Sequence, residues 1–586
     1  MFIEWSHFCS VIAVGSKAAT EQYLIKKQGA TMLKELWLAT VLCCASSVLI
    51  AAEPLPDAQA VSRYADQLLQ QQPIDNHSPG VAVLVARGDE LLFKQAYGQA
   101  NIELGVPLSP EHKFRIGSVT KQFAAAALLK LIDEGKASLS DPLSKYLPDY
   151  PNAKNITLLH LLNHTSGVKS YTGIPGYMHN KIRRELTTAE LIDEFKDLAV
   201  DFAPGADFRY NNSGYVLLGA VIETISGKSW HQYINDALLQ PNKLSNIRYP
   251  GEQTIIPGMA SGYSLRPGQD VTQAALLSMT QPHAAGALVA DAHALWQWNR
   301  LLHGGKLLTA ASYQQMITPT AAAAKNDGNY GFGISRGTLR GMEELQHGGG
   351  INGFVSMLIY LPQPKITVVM LRNSDGPGPD LSYLGRKIAA FASGNPYPQY
   401  TSVTLTEAQL REVSGVYSKG EDSRTLEIQD GKLFSTRAGS RPFELTAQGN
   451  DSFGFTDSVT RLVIQRNKEG SPIGLNMFYD GDGEGEFWQR TGNIVTKADI
   501  SLTPQQQQAL IGDYASDQLQ LKIFQNDANG LLVQVAGQPA LALKAASARS
   551  LYLTVVDATL EFEPATGQAT QLTLTQGPGR FVLTRQ

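Results

Sequence analysis

The stretch SVTKQFAAAALLKLIDEGK, residues 118–136, contains a strong helix signal and begins with a hydroxyl and an amine close together. Its apolar residues recur at helical spacing, and Gly135 marks the C-terminal end. Ser118 and Lys121 are three residues apart, so both project from one helical face. The positive end of the helix favours negative charge that develops beside Ser118. The segment therefore predicts a nucleophile and a base at the start of a long helix.

Segments typical of β-strands lie on both sides of this helix. VAVLVARGDELLFKQAYG, residues 81–98, indicates two strands joined by a Gly88-Asp89 turn. Three further strand-like stretches, YGFGIS, VSMLIYL and ITVVML, cover residues 330–335, 355–361 and 366–371. A helical LSYLGRKIAAFAS follows. This order predicts an α/β (α+β) domain over residues 53–395, in which helices flank an antiparallel sheet that joins the two ends.

The C-terminal third of the chain has a different character and repeats itself. After the Pro-containing linker SGNPYPQYTS, short alternating strands replace the long helices. LTEAQLREVSGVY, from Leu405, matches LTPQQQQALIGDY, from Leu502, at an offset of 97 residues. The duplication predicts two small antiparallel β-barrel modules of lipocalin-like form, at residues 403–493 and 500–586.

The N-terminal residues predict an exported protein. MLKELWLATVLCCASSVLIAA, residues 32–52, has the charge, the apolar run and the small final residues of a signal peptide. A permanent anchor helix is the weaker alternative, because the run is short and interrupted by polar residues. Residues 1–31 are interpreted as an upstream extension. After cleavage we expect a periplasmic or secreted protein without stable membrane insertion, and without cysteine, since Cys9, Cys43 and Cys44 precede the cleavage point.

Composition and motif spacing argue against nucleic-acid and metal binding. The formal net charge is −4 and 17% of residues are charged, an ordinary balance for a globular protein. DGDGEGE, from Asp480, resembles the start of a calcium loop, but Thr491 stands where such a loop needs glutamate. We interpret it as a polar hairpin turn. His160 and His164 have no third ligand nearby in the sequence, which favours a structural or capping role. No metal or other cofactor is expected.

Tyr210-Asn211-Asn212 forms a second candidate for chemistry. It follows PGADFR and precedes SGYVLLGAVIETISG, a pattern that predicts a turn before a buried helix. Such a turn presents the Tyr210 ring and the Asn212 amide at an edge. On these residues alone, a core aromatic with a satisfied hydroxyl is an equally good interpretation of Tyr210.

HGGGINGF, residues 347–354, is the third candidate. Glycines weaken a strand unless another backbone has to come close. Gly349 and Gly350 therefore predict an edge along which an extended substrate pairs as an added strand. A flexible glycine turn is the alternative.

In this order, the three motifs resemble the serine β-lactamase and penicillin-recognising family, in particular its class C-like, peptidase S12 branch of D-aminopeptidases and esterases. HLLNHTSG, YNNSGYVLLG and AAGALVADAHAL also look like family stretches. The resemblance covers about residues 75–390. The paired β modules are similar to the barrels that follow the catalytic domain in D-aminopeptidases. Two roles stay open for them: they restrict access to the catalytic cleft, or they only dock to other surfaces.

The resemblance implies a catalytic role for each motif. Ser118 attacks a carbonyl to give an acyl-enzyme, Lys121 and Tyr210 handle its proton, and the N–H groups of Ser118 and Gly350 form an oxyanion hole. For Tyr210 to act as a base near neutrality, its pKa has to fall by about 3 units from roughly 10. A charged Lys121 about 4 Å away would supply roughly that much, and a protonated His347 would add to it. Which of Lys121 and Tyr210 carries the resting proton stays open, because coupled groups titrate as a set.

The same resemblance limits the classes of substrate that we expect. His347 stands where β-lactamases usually have a lysine, and a neutral imidazole is a weaker anchor for a carboxylate. With Asn212, Gly349 and Gly350 expected at the substrate, the implied activity is hydrolysis of small esters or amides, such as D-amino-acid peptides. A β-lactamase or D,D-carboxypeptidase is one alternative, and a non-catalytic penicillin- or cell-wall-peptide-binding protein is another. The partner expected is a small molecule, and the oligomeric state stays open.

Overall fold

The computed structural model describes residues 54–586 except for several short internal stretches. These stretches are 252, 267–269, 326–327, 439, 457, 494–498, 517–518, 526–529, 536–537, 539, 554–557 and 577–578. The predicted extension and signal peptide, residues 1–31 and 32–52, lie outside the described residues. Within the described part of the chain, no helix is both long and apolar enough to cross a membrane.

An antiparallel sheet of six strands forms the centre of the first domain. The strands of this domain are β1 (Val81–Arg87), β2 (Glu90–Tyr97), β3 (Gln99–Asn101), β4 (Val106–Pro107), β5 (Phe114–Arg115), β6 (Tyr263–Ser264), β7 (Thr272–Gln273), β8 (Val289–Ala290), β9 (Ser335–Leu339), β10 (Met342–Ile351), β11 (Phe354–Leu361) and β12 (Ile366–Arg372). The six-stranded sheet has the order β2-β1-β12-β11-β10-β9. Because β1 pairs with β12 from Val81 to Arg87, the two ends of the domain meet in the sheet, as predicted.

Helices cover both faces of this sheet. The α-helices of the described residues are α1 (Ala58–Gln70), α2 (Thr120–Asp133), α3 (Leu158–Leu162), α4 (Tyr177–Asn180), α5 (Thr188–Asp193), α6 (Asn212–Ser226), α7 (Trp230–Ile234), α8 (His283–Gly286), α9 (Ala292–His303), α10 (Ala310–Ile317), α11 (Leu381–Ala392), α12 (Glu407–Val413) and α13 (Pro504–Leu510). On β1, Val83 belongs to the core cluster that includes residues of α1 and α11, whereas Leu84 belongs to the cluster on the other face, which includes residues of α2, α6 and α9. A strand buried on both faces is uniformly apolar, which explains the run VAVLVA.

The predicted strand YGFGIS is wrong in its position. The strand β9 begins only at Ser335, and residues 330–334 pass beside the start of α2. Gly333 has a φ of +71°, and a Cβ there would lie 2.7 Å from the Gln122 nitrogen. The glycine is therefore needed for close approach to the helix, in a conformation that a strand does not have. The prediction also placed no strand between residues 336 and 346, whereas β9 extends to Leu339 and β10 begins at Met342.

Two closed, eight-stranded antiparallel barrels follow, as the duplication predicted. The first, barrel 1, consists of β13 (Gly415–Lys419), β14 (Asp422–Gln429), β15 (Lys432–Arg437), β16 (Phe443–Gly449), β17 (Ser452–Phe455), β18 (Arg461–Arg466), β19 (Pro472–Phe478) and β20 (Glu486–Gly492). The second, barrel 2, consists of β21 (Gly512–Ala515), β22 (Gln520–Gln525), β23 (Leu531–Val535), β24 (Leu541–Ala545), β25 (Ser550–Leu553), β26 (Ala558–Glu563), β27 (Gln571–Gln576) and β28 (Gly579–Arg585). In each barrel a buried tyrosine, Tyr417 or Tyr514, donates a hydrogen bond to the carbonyl oxygen of the last residue of the preceding helix, at 2.7 and 2.8 Å.

Barrel 1 contacts the first domain through the DGDGEGE segment, which forms the β19–β20 turn, as predicted. Asp480 accepts hydrogen bonds from Tyr397 at 2.7 Å and from Arg386 at 3.1 Å. Asp482 pairs with Arg340, which lies just before β10. The 10 residues of β10 span about 30 Å at 3.3 Å per residue. These contacts therefore lie at the far end of β10 from Gly350.

Candidate active site

Ser118 lies in a short 3₁₀ turn, Gly117–Val119, that leads directly into α2. The sequence had predicted one helix from Ser118, and the α-helix itself begins two residues later, at Thr120. Gly117 has a φ of +50°, which turns the chain sharply into the helix. Its backbone lies against β10, where a Cβ on Gly117 would be 3.0 Å from the Gly350 nitrogen.

Lys121 is completely buried and faces Ser118. Its Nζ lies 3.1 Å from Ser118 Oγ, 2.8 Å from Asn212 Oδ1 and 2.9 Å from the Ala285 carbonyl oxygen. Burial holds the pKa of the Lys121 amine well below its ordinary value, which favours the neutral form. A neutral amine has two N–H donors for the two fixed acceptors, Asn212 and Ala285. Its lone pair is then left for the Ser118 hydroxyl proton.

Asn212, the first residue of α6, fixes the direction in which Lys121 points. Its Oδ1 accepts from Lys121, while its Nδ2 donates to Thr172 Oγ1 at 3.1 Å. Since the amide nitrogen is held by Thr172, the oxygen is the atom left to face the amine. The prediction of a turn followed by a buried helix at this position is confirmed.

Tyr210 lies at the edge of the site, with 38% of its surface exposed. Lys121 Nζ is 4.7 Å from the centre of its ring, and the Tyr210 phenol is within hydrogen-bonding reach of Ser118. Burial nevertheless raises the pKa of Tyr210 above its ordinary value, and the Ser118 hydrogen bond offsets this only in part. The fall in pKa that Tyr210 would need in order to act as a base near neutrality is therefore not found. The lowered pKa of Lys121 also disfavours the positive charge that would stabilise a phenolate.

His347 does not supply a positive charge to the site. Its Nε2 accepts from the Tyr330 hydroxyl at 2.7 Å, and its Nδ1–H donates to the Gly348 carbonyl oxygen at 2.6 Å. Burial lowers the pKa of His347 to about 3, so the ring is neutral at physiological pH. The structure places His347 behind the site, against Tyr330, and its ring centre is 6.2 Å from that of Tyr210.

The glycine run is a strand and not a flexible turn, because the Ser118 turn packs directly on it. A Cβ on Gly349 would be 2.1 Å from the Ile116 carbonyl oxygen and 2.4 Å from Ser356 Oγ. Ser356 in turn donates to that same carbonyl at 2.8 Å. Gly349 therefore permits the close contact that brings Gly350 beside Ser118.

An aromatic cluster behind Tyr210 was missed by sequence reasoning. The His164 ring lies 4.4 Å from Tyr210 and 4.5 Å from Tyr330. Its Nδ1 accepts from the Asn211 backbone N–H at 3.2 Å, so His164 supports the loop that carries Tyr210. His160 has the predicted capping role, since its Nδ1 accepts from the Thr157 N–H.

Two other serine-containing patterns in the described part of the chain do not form an active site. Ser166 and Lys169 repeat the Ser-x-x-Lys pattern, but Lys169 pairs with Asp201 at 2.8 Å, and Ser166 Oγ accepts from the Val168 N–H. Residues 333–337 have the Gly-x-Ser-x-Gly pattern of α/β-hydrolases. They lead into strand β9 and then a β-turn, so the strand–turn–helix that this pattern requires is not present there.

An open cleft of about 480 Å³, counting space open to solvent, lies over Ser118, Asn212 and Gly350. Its apolar wall includes Met178 and Ile182. None of the described residues that line it carries a charged side chain, and none belongs to a barrel. The cleft can therefore hold an uncharged group beside the Ser118 hydroxyl, with amides and hydroxyls as the polar contacts.

Comparison with known proteins agrees with this geometry. The family model described as Beta-lactamase matches residues 65–393. A D-aminopeptidase of Gluconobacter oxydans is 26% identical over 363 residues, which cover 60% of this chain and 65% of the relative. Penicillin-binding protein 4* of Bacillus subtilis is 24% identical, over 51% of this chain and 69% of the relative. The chain spans about three fifths of the length of several further curated relatives.

A solved structure shows the same fold. The octameric penicillin-binding protein homologue from Pyrococcus abyssi is 24% identical, with a TM-score of 0.53 over 75% of this chain and 99% of that one. The family model itself covers more than half of the 586 residues. This chain therefore belongs to the β-lactamase family.

Proposed function

We propose that the protein is an exported hydrolase that forms an acyl-enzyme on Ser118 and hydrolyses small esters or amides. The observation that carries the proposal is the 3.1 Å contact between Ser118 Oγ and the buried Nζ of Lys121. A neutral amine in this position takes up a hydroxyl proton without a diffusing base. Export rests on the predicted signal peptide, residues 32–52.

In the acylation step, the Ser118 oxygen attacks the carbonyl carbon while its proton moves to Lys121. The tetrahedral oxyanion accepts hydrogen bonds from the Ser118 and Gly350 N–H groups. When the bond to the leaving group breaks, Tyr210 donates its phenol proton to that group and recovers a proton from Lys121. The raised pKa of Tyr210 keeps the phenol protonated until this step. Water then attacks the acyl-enzyme while Lys121 accepts its proton. When the bond between the acyl carbon and the Ser118 oxygen breaks, Lys121 returns the proton to Ser118 and the acid is released.

The packing of Gly349 predicts a large effect of one added methyl group. Gly349→Ala places a Cβ against the Ile116 carbonyl oxygen, so β10 has to move away from the Ser118 turn. Loss of one oxyanion donor typically lowers kcat by about 10²–10³-fold. We expect kcat for ester hydrolysis to fall by that factor in steady-state kinetics. The thermal unfolding midpoint of the variant is measured as well.

Gly348→Ala is the matched control for Gly349→Ala. A Cβ on Gly348 meets its nearest atoms at 3.7 Å, an ordinary contact, in the same strand. We expect its kcat to stay within about threefold of the wild type, because no donor is displaced. Equal losses of kcat in the two variants would contradict the placement of Gly350 in the oxyanion hole.

The uncharged cleft supports a preference among substrates. One relative is a D-aminopeptidase, which makes amides of D-amino acids a class to propose for this chain. A β-lactam or a carboxypeptidase substrate carries a carboxylate, and an unblocked amino acid amide carries an ammonium. Neither charge meets an opposite charge among the described lining residues. Burying an unpaired charge is unfavourable, so uncharged esters and N-blocked D-amino-acid amides fit best.

A substrate panel tests this proposal. It consists of p-nitrophenyl butyrate, N-acetyl-D-alanine p-nitroanilide, D-alanine p-nitroanilide and nitrocefin. We expect kcat/KM to be about 10–100-fold higher for the N-acetylated anilide than for the free amine, because a buried polar group without a partner costs a free energy of about that size. Nitrocefin should be hydrolysed more slowly than the ester. Hydrolysis of nitrocefin at a kcat/KM above that of the ester would instead favour the β-lactamase alternative.

Asn352→Lys adds a matched variant to the panel. Asn352 lines the cleft and donates only to the Ala275 carbonyl oxygen. A lysine there introduces the cation that the cleft lacks. We expect the ratio of nitrocefin to ester hydrolysis to rise by about two- to fivefold, as for one exposed charge pair.

A further inference from the structure

A second cavity, remote from Ser118, lies where the first domain meets barrel 1. It is bounded by α1, α11, the linker that follows α11, and the strands of barrel 1 around Arg461. Its empty volume is about 930 Å³, counting space open to solvent, which is enough for a disaccharide. The catalytic proposal uses none of its residues.

Arg461 enters this cavity with a fixed orientation. Its Nε donates to the Gly481 carbonyl oxygen, and its Nη1 donates to Ser452 Oγ at 3.3 Å. The guanidinium also lies over the rings of Phe478, at 4.4 Å, and Tyr400, at 5.1 Å. Stacking holds the plane of the group while its edge stays available for an oxygen ligand.

Lys387 brings a second cation to the same cavity from α11. Its Nζ donates to the Tyr383 hydroxyl at 3.4 Å. None of the described residues that line the cavity is acidic. Within the described chain, neither Lys387 nor Arg461 forms an ion pair with a carboxylate. Two cations in one concave site, with no carboxylate among the described lining residues, favour an anionic ligand.

The remaining wall is aromatic and rich in amides. Four tyrosines, Tyr64, Tyr383, Tyr397 and Tyr400, line it together with four glutamines. Tyr64 is held in place by parallel stacking on Phe391 at 4.1 Å. Tyrosine rings present flat apolar faces to the C–H face of a sugar ring, and glutamine amides both donate to and accept from its hydroxyls.

We propose that this cavity binds an anionic sugar, that is, a sugar ring that bears a carboxylate or a phosphate group. The two cations hold the anion, the glutamines hold the hydroxyls, and the tyrosine rings pack on the ring face. Because the walls come from both the first domain and barrel 1, the bound sugar bridges the two. The ligand therefore also raises the thermal unfolding temperature.

Isothermal titration calorimetry of the full chain with matched ligands tests the proposal. Cellobiouronic acid differs from cellobiose only in one carboxylate, and cellobiose 6′-phosphate provides the phosphate arm. We expect the anionic sugars to bind with dissociation constants of about 0.1–1 mM, at least tenfold tighter than cellobiose. The tighter of the two anionic ligands identifies the anion. Equal affinity for cellobiose and for both anionic sugars would overturn the proposal.

Variants separate this site from non-specific charge attraction. We expect Arg461→Gln and Lys387→Gln each to weaken binding about tenfold, as for loss of one charge-assisted hydrogen bond. Lys468→Gln, an exposed lysine of barrel 1, makes the same change of charge and should leave the affinity unchanged. If Arg461→Gln unfolds, Lys387→Gln carries the test, since Lys387 makes a single long bond to Tyr383. Unchanged binding in Lys387→Gln would refute the site.

Ser118→Ala provides the control that keeps this site distinct from the catalytic one. We expect the Ser118→Ala protein to bind the anionic sugar as tightly as the wild type. Loss of sugar binding in that variant would assign the ligand to the catalytic cleft and overturn the proposal. The result does not depend on which substrate the hydrolase cleaves.

Discussion

Ser118→Ala is expected to lower kcat/KM for p-nitrophenyl esters by about 10⁵–10⁶-fold, the loss seen when a nucleophile is removed from a serine hydrolase. Without its oxygen, no acyl-enzyme can form, and the remaining rate comes from binding and the oxyanion hole. The variant should also lose all labelling by a fluorescent fluorophosphonate. The thermal unfolding midpoint should change little, because the change removes one half-buried oxygen.

Ser166→Ala is the matched control for the nucleophile. Ser166 belongs to the other Ser-x-x-Lys pattern, and its Oγ only accepts a 3.3 Å hydrogen bond from the Val168 N–H. We expect full fluorophosphonate labelling and a kcat/KM within a few-fold of the wild type. Labelling that persists in Ser118→Ala but disappears in Ser166→Ala would move the active site to the second pattern.

Lys121→Met is expected to lower the acylation rate by about 10³–10⁴-fold, near the upper range for loss of a general base. Methionine has a similar length and fills the buried position, but it has no basic nitrogen to accept the Ser118 proton. The Asn212 oxygen and the Ala285 carbonyl oxygen lose their donor, so we also expect a modest loss of stability. Stopped-flow release of p-nitrophenol measures acylation separately from deacylation.

Lys169→Met provides the matched control for Lys121→Met. Lys169 pairs with Asp201, with 41% of its side chain exposed, and such pairs contribute about 0–1 kcal/mol to stability. We expect acylation by this variant to match the wild type. A comparable fall in both variants would mean that loss of a lysine harms the protein in general and would remove the support for Lys121 as the base.

Much of the fold could be predicted because its signals are local. The hairpin of β1 and β2 follows from the Gly88-Asp89 turn between apolar runs, and the barrels follow from a repeat at constant spacing. The strand β9 was predicted too early in the chain and the start of β10 was not predicted, because the positions of both strands depend on long-range packing. Gly333 and Gly349 are glycines because α2 and the Ser118 turn, far away in sequence, come within van der Waals contact.

The residues of the site could be predicted from the sequence, but the directions of their pKa shifts could not. Ser118, Lys121, Tyr210 and Asn212 come together as the motifs implied. The direction of each pKa shift depends on burial, which motif spacing does not reveal. Burial lowers the pKa of Lys121 and of His347, which disfavours the positive charges that would stabilise a Tyr210 phenolate. HLLNHTSG hinted that the segment matters, yet nothing in it indicated that His164 supports the Tyr210 loop.

The central claim is that Lys121 is a neutral amine at rest and takes the proton of Ser118. Its direct test is the pH dependence of the acylation rate with p-nitrophenyl acetate, in the wild type and in Tyr210→Phe. The pKa of Lys121 is lowered, so its unprotonated fraction rises with pH and saturates well below the ordinary pKa of 10.5. We predict that the rate rises in that way to a plateau, and that Tyr210→Phe keeps the same midpoint. A rate that still rises at pH 10, or a midpoint that disappears in Tyr210→Phe, would contradict the account and make Tyr210 the base.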